Sequence, residues 1–398
     1  MHTTQNMSKL LFLVILMAGV GQMTQTMYVP AIGDMAESFG VRAGELQAVM
    51  AAYLTAYGLT QFIYGPLSDR FGRKPVLMAG MSIYLLGSAF ALWAPTLSLF
   101  LIASFIQGAG TGCCGAMCRT IPRDCYEGDD LQRANSLVSM GIIFSPLLAP
   151  VLGGWMTTTF GWTAIYQFLA LLGLAVTLIL MTMLGETLPV EQRTTQPVAA
   201  RYKEVLSNKG FQGHIVCLVA TFSGIAIYEA AAGVLFGGVL GLSPSVVSIL
   251  FILPLPGYLI GSWSSQTLVR RFGRHTSLLI GMGTLFAGAL TILLAGLALS
   301  ANAASLVIGG VLYFYGAGLV FPIATTAALT PFPRLAGTAG AVMGGMQNLG
   351  AGLTTLMVAT LPAKDQISLG AALMVMASIA IVGMIRVQRT HPPLAVAS

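Results

Sequence analysis

The sequence predicts an all-α membrane protein whose twelve transmembrane helices form two six-helix halves around a central cavity. Three observations lead there. Of 398 residues, 56% are hydrophobic and 8% charged; the few charges leave long uncharged windows between them; and the basic residues gather on alternate connections. An average soluble domain is about 25% charged, so a soluble fold would lack the charge to cover its surface.

The uncharged windows run over 10–33, 46–68, 75–118, 134–185, 230–269, 275–333, 335–363 and 366–385. A crossing helix needs about 20 apolar residues, at about 1.5 Å rise each, to span a hydrocarbon core of about 30 Å. The shorter windows therefore hold one helix apiece. The longer ones divide: 75–118 at Ala94-Pro95-Thr96, 134–185 near 157–161, and 275–333 near 300–303. The stretch 210–269, interrupted only by Glu229, divides near 241–244. The predicted spans are 10–31, 45–64, 76–93, 97–120, 132–156, 162–184, 211–238, 244–266, 276–298, 303–329, 336–360 and 367–386.

With the N-terminus inside, 17 of the 19 Lys and Arg residues fall on the cytoplasmic side, from Lys9 to Arg389. Arg42 and Lys364 fall outside. A wrong helix count would scramble that alternation, so both termini are expected in the cytoplasm. The net charge of +6 is then matched by anionic lipid head groups, with no call for a nucleic-acid partner. The apolar run after Lys9 is too long for a cleavable signal and lacks a clean cleavage site, so it reads as the first span. Cys113, Cys114 and Cys118 fall in span four, Cys125 in a loop and Cys217 in span seven. Without His or a second thiol pair at ligand spacing they read as small packing residues, so no metal and no cofactor is expected.

The polar stretch between spans six and seven divides the chain into an N-terminal half, 1–187, a cytoplasmic linker, 188–210, and a C-terminal half, 211–398. FGR recurs at 71–73 and 272–274, each time just after an even-numbered span. Six plus six helices in parallel repeat is a transporter arrangement, with the substrate site between the halves near the midplane.

Candidate site residues follow from where polar groups interrupt apolar helices. Glu229 is the one acid well inside a predicted span. A carboxylate in hydrocarbon costs several kcal/mol unless it faces a cavity, finds a partner or holds a proton. It is the candidate for proton coupling, with a structural interhelical bond as the plainer reading. Gln22, Gln25 and Val29 share one face of span one with Thr26 beside it, and Tyr53, Tyr57 and Tyr64 recur along span two with Gln61 between. Both rows suit a cavity wall, although singly each residue is more often helix packing. In span five, Pro146 and Pro150 break the hydrogen-bond ladder and Gly153 with Gly154 allow close contact. The run 337–345, GTAGAVMGG, packs span eleven closely and is not read as a phosphate loop.

Between spans two and three stands GPLSDRFGRKP, 65–75, which resembles the signature loop of the major facilitator superfamily. Its counterpart in the second half, QTLVRRFGRH at 266–275, has Arg270 where Asp69 would be. The resemblance implies that Gly65, Asp69, Arg70, Gly72 and Arg73 form a conformational latch on the cytoplasmic side, with Arg119 as an ionic partner for Asp69. SPLLAPVLGG, 145–154, is similar in part to the Gly-Pro-x-x-Gly-Gly pattern of the antiporters, with Ser145 and Ala149 where that pattern has glycines. In span four Gln107-Gly108-Ala109-Gly110 resembles the family's motif, yet Ser104 stands where relatives carry an Arg used in proton transfer. Any coupling group must then lie elsewhere. Together with VGQMTQTMYVPAIGDMA from residue 20, RTIPRD at 119–124, FILPLP at 251–256 and PFPRLAGTAGA at 331–341, these runs resemble the twelve-span drug:proton antiporter branch of that superfamily over nearly the whole chain.

That branch implies efflux of amphipathic, chemically varied compounds across a bacterial inner membrane, driven by protons, by a monomer acting through alternating access. Gln22, Gln25, Thr26, Tyr53, Tyr57 and Glu229 match its cavity positions. The alternative within the same fold is a nutrient or metabolite facilitator, which would place more hydrogen-bonding residues in its cavity. The sequence offers no paired carboxylates, metal ligands or nucleophile with a base for an enzyme, and no filter element for a channel.

Overall fold

A computed structural model describes residues 7–193, 198–299, 301–332, 335–361 and 365–390. Arg334 and Lys364 of the charge pattern, and 194–197 of the linker, lie outside these. The α-helices are α1 (Met7–Thr26), α2 (Ile32–Phe39), α3 (Gln47–Phe71), α4 (Arg73–Leu92), α5 (Leu97–Cys125), α6 (Gly128–Phe160), α7 (Thr163–Met183), α8 (Val198–Ser207), α9 (Lys209–Gly233), α10 (Pro244–Ile252), α11 (Pro254–Ala298), α12 (Ala303–Leu329), α13 (Ala336–Thr360) and α14 (Gln366–Thr390).

Eight helical stretches among the described residues are long and apolar enough to cross a membrane. The longest, Pro244–Ala298, turns at Gly273, whose φ of 78° breaks the helix into two crossings. With the less apolar α3, α6 and α13, the helices accord with twelve crossings. Some boundaries differ from those expected. Span one reaches Phe39 through a 3₁₀ turn, Val29–Ala31, because Pro30 sits in that turn's first positions, where its missing N–H costs nothing. Span eight extends to about residue 272 and is interrupted near Leu253. Span seven ends in a π-helical turn, Val234–Val239.

The chain packs as two compact units, 1–196 with 232–249, and 197–231 with 250–398. In the first, Leu10, Leu13 and Met17 of α1 pack with Leu77, Met81 and Tyr84 of α4 and Met117 of α5 in one buried cluster. α4 meets α5 closely because Gly110 has no side chain: a Cβ there would strike the backbone of Tyr84. Cys113 fills the matching space above Gly80, as small-residue packing requires. In the second unit α11 packs mainly on α12 and α14. Asn302 caps α12 by accepting from the amides of Ala304 and Ser305. Gln366 ties three segments there, donating to Ile292 O and Ser305 Oγ and accepting from Asn302 N–H.

Candidate functional site

α1 approaches α3 at Gly21, which stands against Tyr53 and Tyr57. Gln25, Thr26 and Val29 are buried on one side and Tyr53, Tyr57 and Gln61 on the other, while Gln22 is half-buried. The rings of Tyr53 and Tyr57 stack with centroids 5.9 Å apart. Tyr53 donates to Gly21 O at 2.8 Å and shares a 2.7 Å hydrogen bond with Thr111 of α5. Its hydroxyl thus joins three helices, whereas no side chain on Gly115 leaves room for the Tyr57 hydroxyl and the Gln61 amide. Burial of a ring whose hydroxyl is satisfied, as at Tyr53, is what an apolar membrane interior requires of tyrosine.

Beside these rows runs a second polar chain. Tyr84 shares a 3.0 Å bond with Thr24 and donates to Leu169 O; Gln107 donates to Ser88. Ser104 donates to Phe100 O one turn back in its own helix, so this position is neutral and locally satisfied. Glu229 lies in the second unit, 7% exposed, next to Tyr228, whose hydroxyl donates to Leu306 O.

On α6, Pro146 and Pro150 stand inside the helix. Gly153 admits the Met27 carbonyl, and Gly154 admits Ser248. Ser248 Oγ donates at 2.8 Å toward both Pro150 O and Pro244 O. A nearby cavity of about 520 Å³ is lined by Pro30, Asp34, Ala43, Gly237, Gly241 and Ser243 among others. Asp34 there closes the first charge-free window, and its place on a cavity wall was not readable from its position in the sequence.

The loop 65–75 holds a buried cluster of charged groups in the first unit. Arg73 is 5% exposed. Its Nη1 donates to Asp69 at 2.6 Å and to Ser68 at 2.7 Å, and its Nε donates to Asp124 at 2.8 Å. A guanidinium held by two carboxylates and a hydroxyl compensates its own desolvation, which an isolated buried charge could not. Gly72 turns the chain between α3 and α4 at φ 100°, ψ 158°, a region essentially closed to other residues. Arg70 lies over the Phe71 ring at 5.2 Å, and Gly65 O accepts from Ser68. Arg119 is exposed at the same end of α5. The motif therefore brings Asp69 and Arg73 together across Gly72, an ion pair within the loop itself, where the resemblance names Arg119 as the partner of Asp69. Asp124 and Glu186 also belong to the cluster. Asp124 ends the RTIPRD run and carried a signal in that sense; Glu186 begins the polar stretch after α7 and carried none.

The sequence model of the Major Facilitator Superfamily matches residues 11–355. The chain is 45% identical over 377 residues to multidrug resistance protein D of Escherichia coli (strain K12), covering 93% of each. It is 28% identical over 318 residues to multidrug resistance protein MdtL of Shewanella oneidensis, covering 80% of each. Two solved structures share the fold: the human organic anion transporter MFSD10, with a TM-score of 0.68 at 18% identity, covering 97% of this chain and 100% of that one, and the xylose transporter XylE from E. coli, partially occluded and inward open, with a TM-score of 0.69 at 16% identity, covering 98% and 99%. Twelve crossings, a signature loop folded around Arg73 and these likenesses agree: the chain belongs to the major facilitator superfamily, as an EmrD-type member.

Proposed function

We propose that this chain is a multidrug efflux transporter of a bacterial inner membrane, exporting amphipathic or lipophilic compounds in exchange for protons. The observation that carries the reading is the 45% identity to multidrug resistance protein D across 93% of both chains. The buried rows support it: aromatic rings with few polar groups bind by shape and burial, and so tolerate varied ligands. In this reading the halves 1–187 and 211–398, joined by the linker 188–210, rock about the cavity, with both termini cytoplasmic. Gln22, Gln25, Thr26, Val29, Tyr53, Tyr57 and Gln61 contribute its first-half wall, and the Pro146 to Gly154 segment of α6 serves antiport by permitting close packing. Glu229 exchanges a proton for a cationic or polar drug group, each binding best when the other is absent. Membrane potential adds about 2.3 kcal/mol per charge moved per 100 mV. The cluster around Asp69 and Arg73 holds the cytoplasmic latch.

Everted vesicles test this directly. Adding lipophilic cations or neutral amphiphiles to energised vesicles carrying the intact protein is expected to release protons, and Glu229→Gln is expected to abolish that release. No response from the intact protein to any compound rejects drug:proton antiport and favours a metabolite facilitator. Equal release by both forms removes Glu229 from coupling. Asp69→Asn is expected to slow efflux at normal expression; an unchanged rate rejects the latch.

A further inference from the structure

We propose that Glu186, which lies outside the signature loop and 3 residues past the last residue of α7, Met183, is the positioning residue that sets this loop in its working geometry. This rests on the latch reading above. The carboxylate of Glu186 accepts from the backbone N–H of Arg73 at 2.8 Å and of Lys74 at 3.2 Å. Those are among the first amides of α4, which have no carbonyl partner within the helix, and the anion also meets the positive end of the helix dipole. A helix cap alone would explain that much. Four further contacts give it a direction. Leu188 N–H closes back on the same Oε1 at 3.0 Å, and Arg193 stands 4.0 Å from Oε2. Thr187, the next residue, donates to Asp124 at 3.2 Å, and Lys74 Nζ donates to Met181 O at the end of α7.

Adjacent residues of the segment after α7 therefore grip the two ends of Arg73: Glu186 its backbone, Thr187 the carboxylate that its guanidinium binds. The space is reserved as well, since a Cβ on Gly72 would collide with Glu186 and Arg193. Asp69 and Asp124 fix where the Arg73 side chain ends, and Glu186 fixes where it begins. Glu186 touches neither row of candidate drug-binding residues, so its effect belongs to the speed of the conformational cycle and leaves affinity alone.

The test uses the full chain reconstituted in liposomes, with tetraphenylphosphonium as the probe. In E186Q, amide hydrogen exchange over 68–77 is expected to accelerate about tenfold, and efflux turnover to fall about tenfold, the scale of one lost charge-assisted hydrogen bond. The Kd for tetraphenylphosphonium is expected to stay within about twofold. E186D, still an anion, should recover part of both effects, and D69N with E186Q together should turn over no more slowly than the slower single variant. Unchanged exchange in E186Q, or turnover losses that multiply in the double variant, overturns the proposal. Should E186Q fail to accumulate, E186D decides by the same exchange measurement: accelerated supports, unchanged overturns. Exchange at 68–77 reads Glu186 even if the intact protein moves no tetraphenylphosphonium, an outcome that would count against the efflux reading alone.

Discussion

The two loops that carry FGR have nearly the same backbone and opposite surroundings. Gly72 turns the chain at φ 100°, ψ 158° and Gly273 at φ 78°, ψ 163°. Arg70 covers the Phe71 ring at 5.2 Å, and Arg271 covers the Phe272 ring at 5.3 Å. Beyond the backbone they part. Arg73 is buried among Ser68, Asp69 and Asp124, while Arg270, Arg271 and Arg274 are exposed, and none of them joins an ion pair among the described residues. A Cβ on Gly72 would meet Glu186; one on Gly273 would meet nothing within 4 Å. The repeat keeps a turn in both places and builds a charge network in one. Turning the chain is thus separable from holding it.

Removing the central charge should break the comparison most sharply. Arg73→Ala removes the buried guanidinium that Asp69 and Asp124 share, and a loss of about 3 kcal/mol is expected. Arg274→Ala, in solvent, should stay within about 0.5 kcal/mol. Thermal unfolding midpoints in one detergent check both, and similar losses would mean that burial at Arg73 does not matter. Next come the glycines. Gly273→Ala should cost about 1–2 kcal/mol from backbone strain alone, and Gly72→Ala about 1 kcal/mol more because the added carbon meets the Glu186 carboxylate. Equal costs would show that Glu186 yields freely. Smallest is an attempt to restore symmetry: Arg270→Asp places an acid four residues before Arg274, and the exposed pair should add only about 0.3–0.5 kcal/mol. A larger gain would mean that the second loop lacks nothing but the acid.

Much of the fold was legible because membrane physics writes it in coarse letters. The breaks expected at Ala94-Pro95-Thr96 and near 157–161 coincide with the ends of α4 and α6, since a helix longer than the bilayer must turn somewhere and Pro or Gly is where it can. Asp69, Gly72 and Arg73 were legible because they are contiguous. Glu186 was not: its hydrogen bond to Arg73 spans 113 positions, and nothing local distinguishes it from any acid that follows a span. Tyr53 was legible as part of a helical row, whereas its bond to the Gly21 carbonyl depends on how closely α1 approaches α3, which no single-helix pattern records.

The π-helical turn at Val234–Val239 changes how span seven has to be mapped. A wide turn holds roughly one residue more than an α turn, so positions within it fall progressively out of the α-helical phase, by about 100° at its end. Glu229 keeps the phase of α9, whereas Gly237 and Gly238, which line the 520 Å³ cavity, lie inside the wide turn itself. A helical wheel drawn straight through residues 209–239 would put residues on one stripe that in fact face different ways. A cysteine-accessibility scan along this span should accordingly keep the α-helical period through α9 and depart from it from Val234 onward, which would mark the start of the turn to within a residue or two.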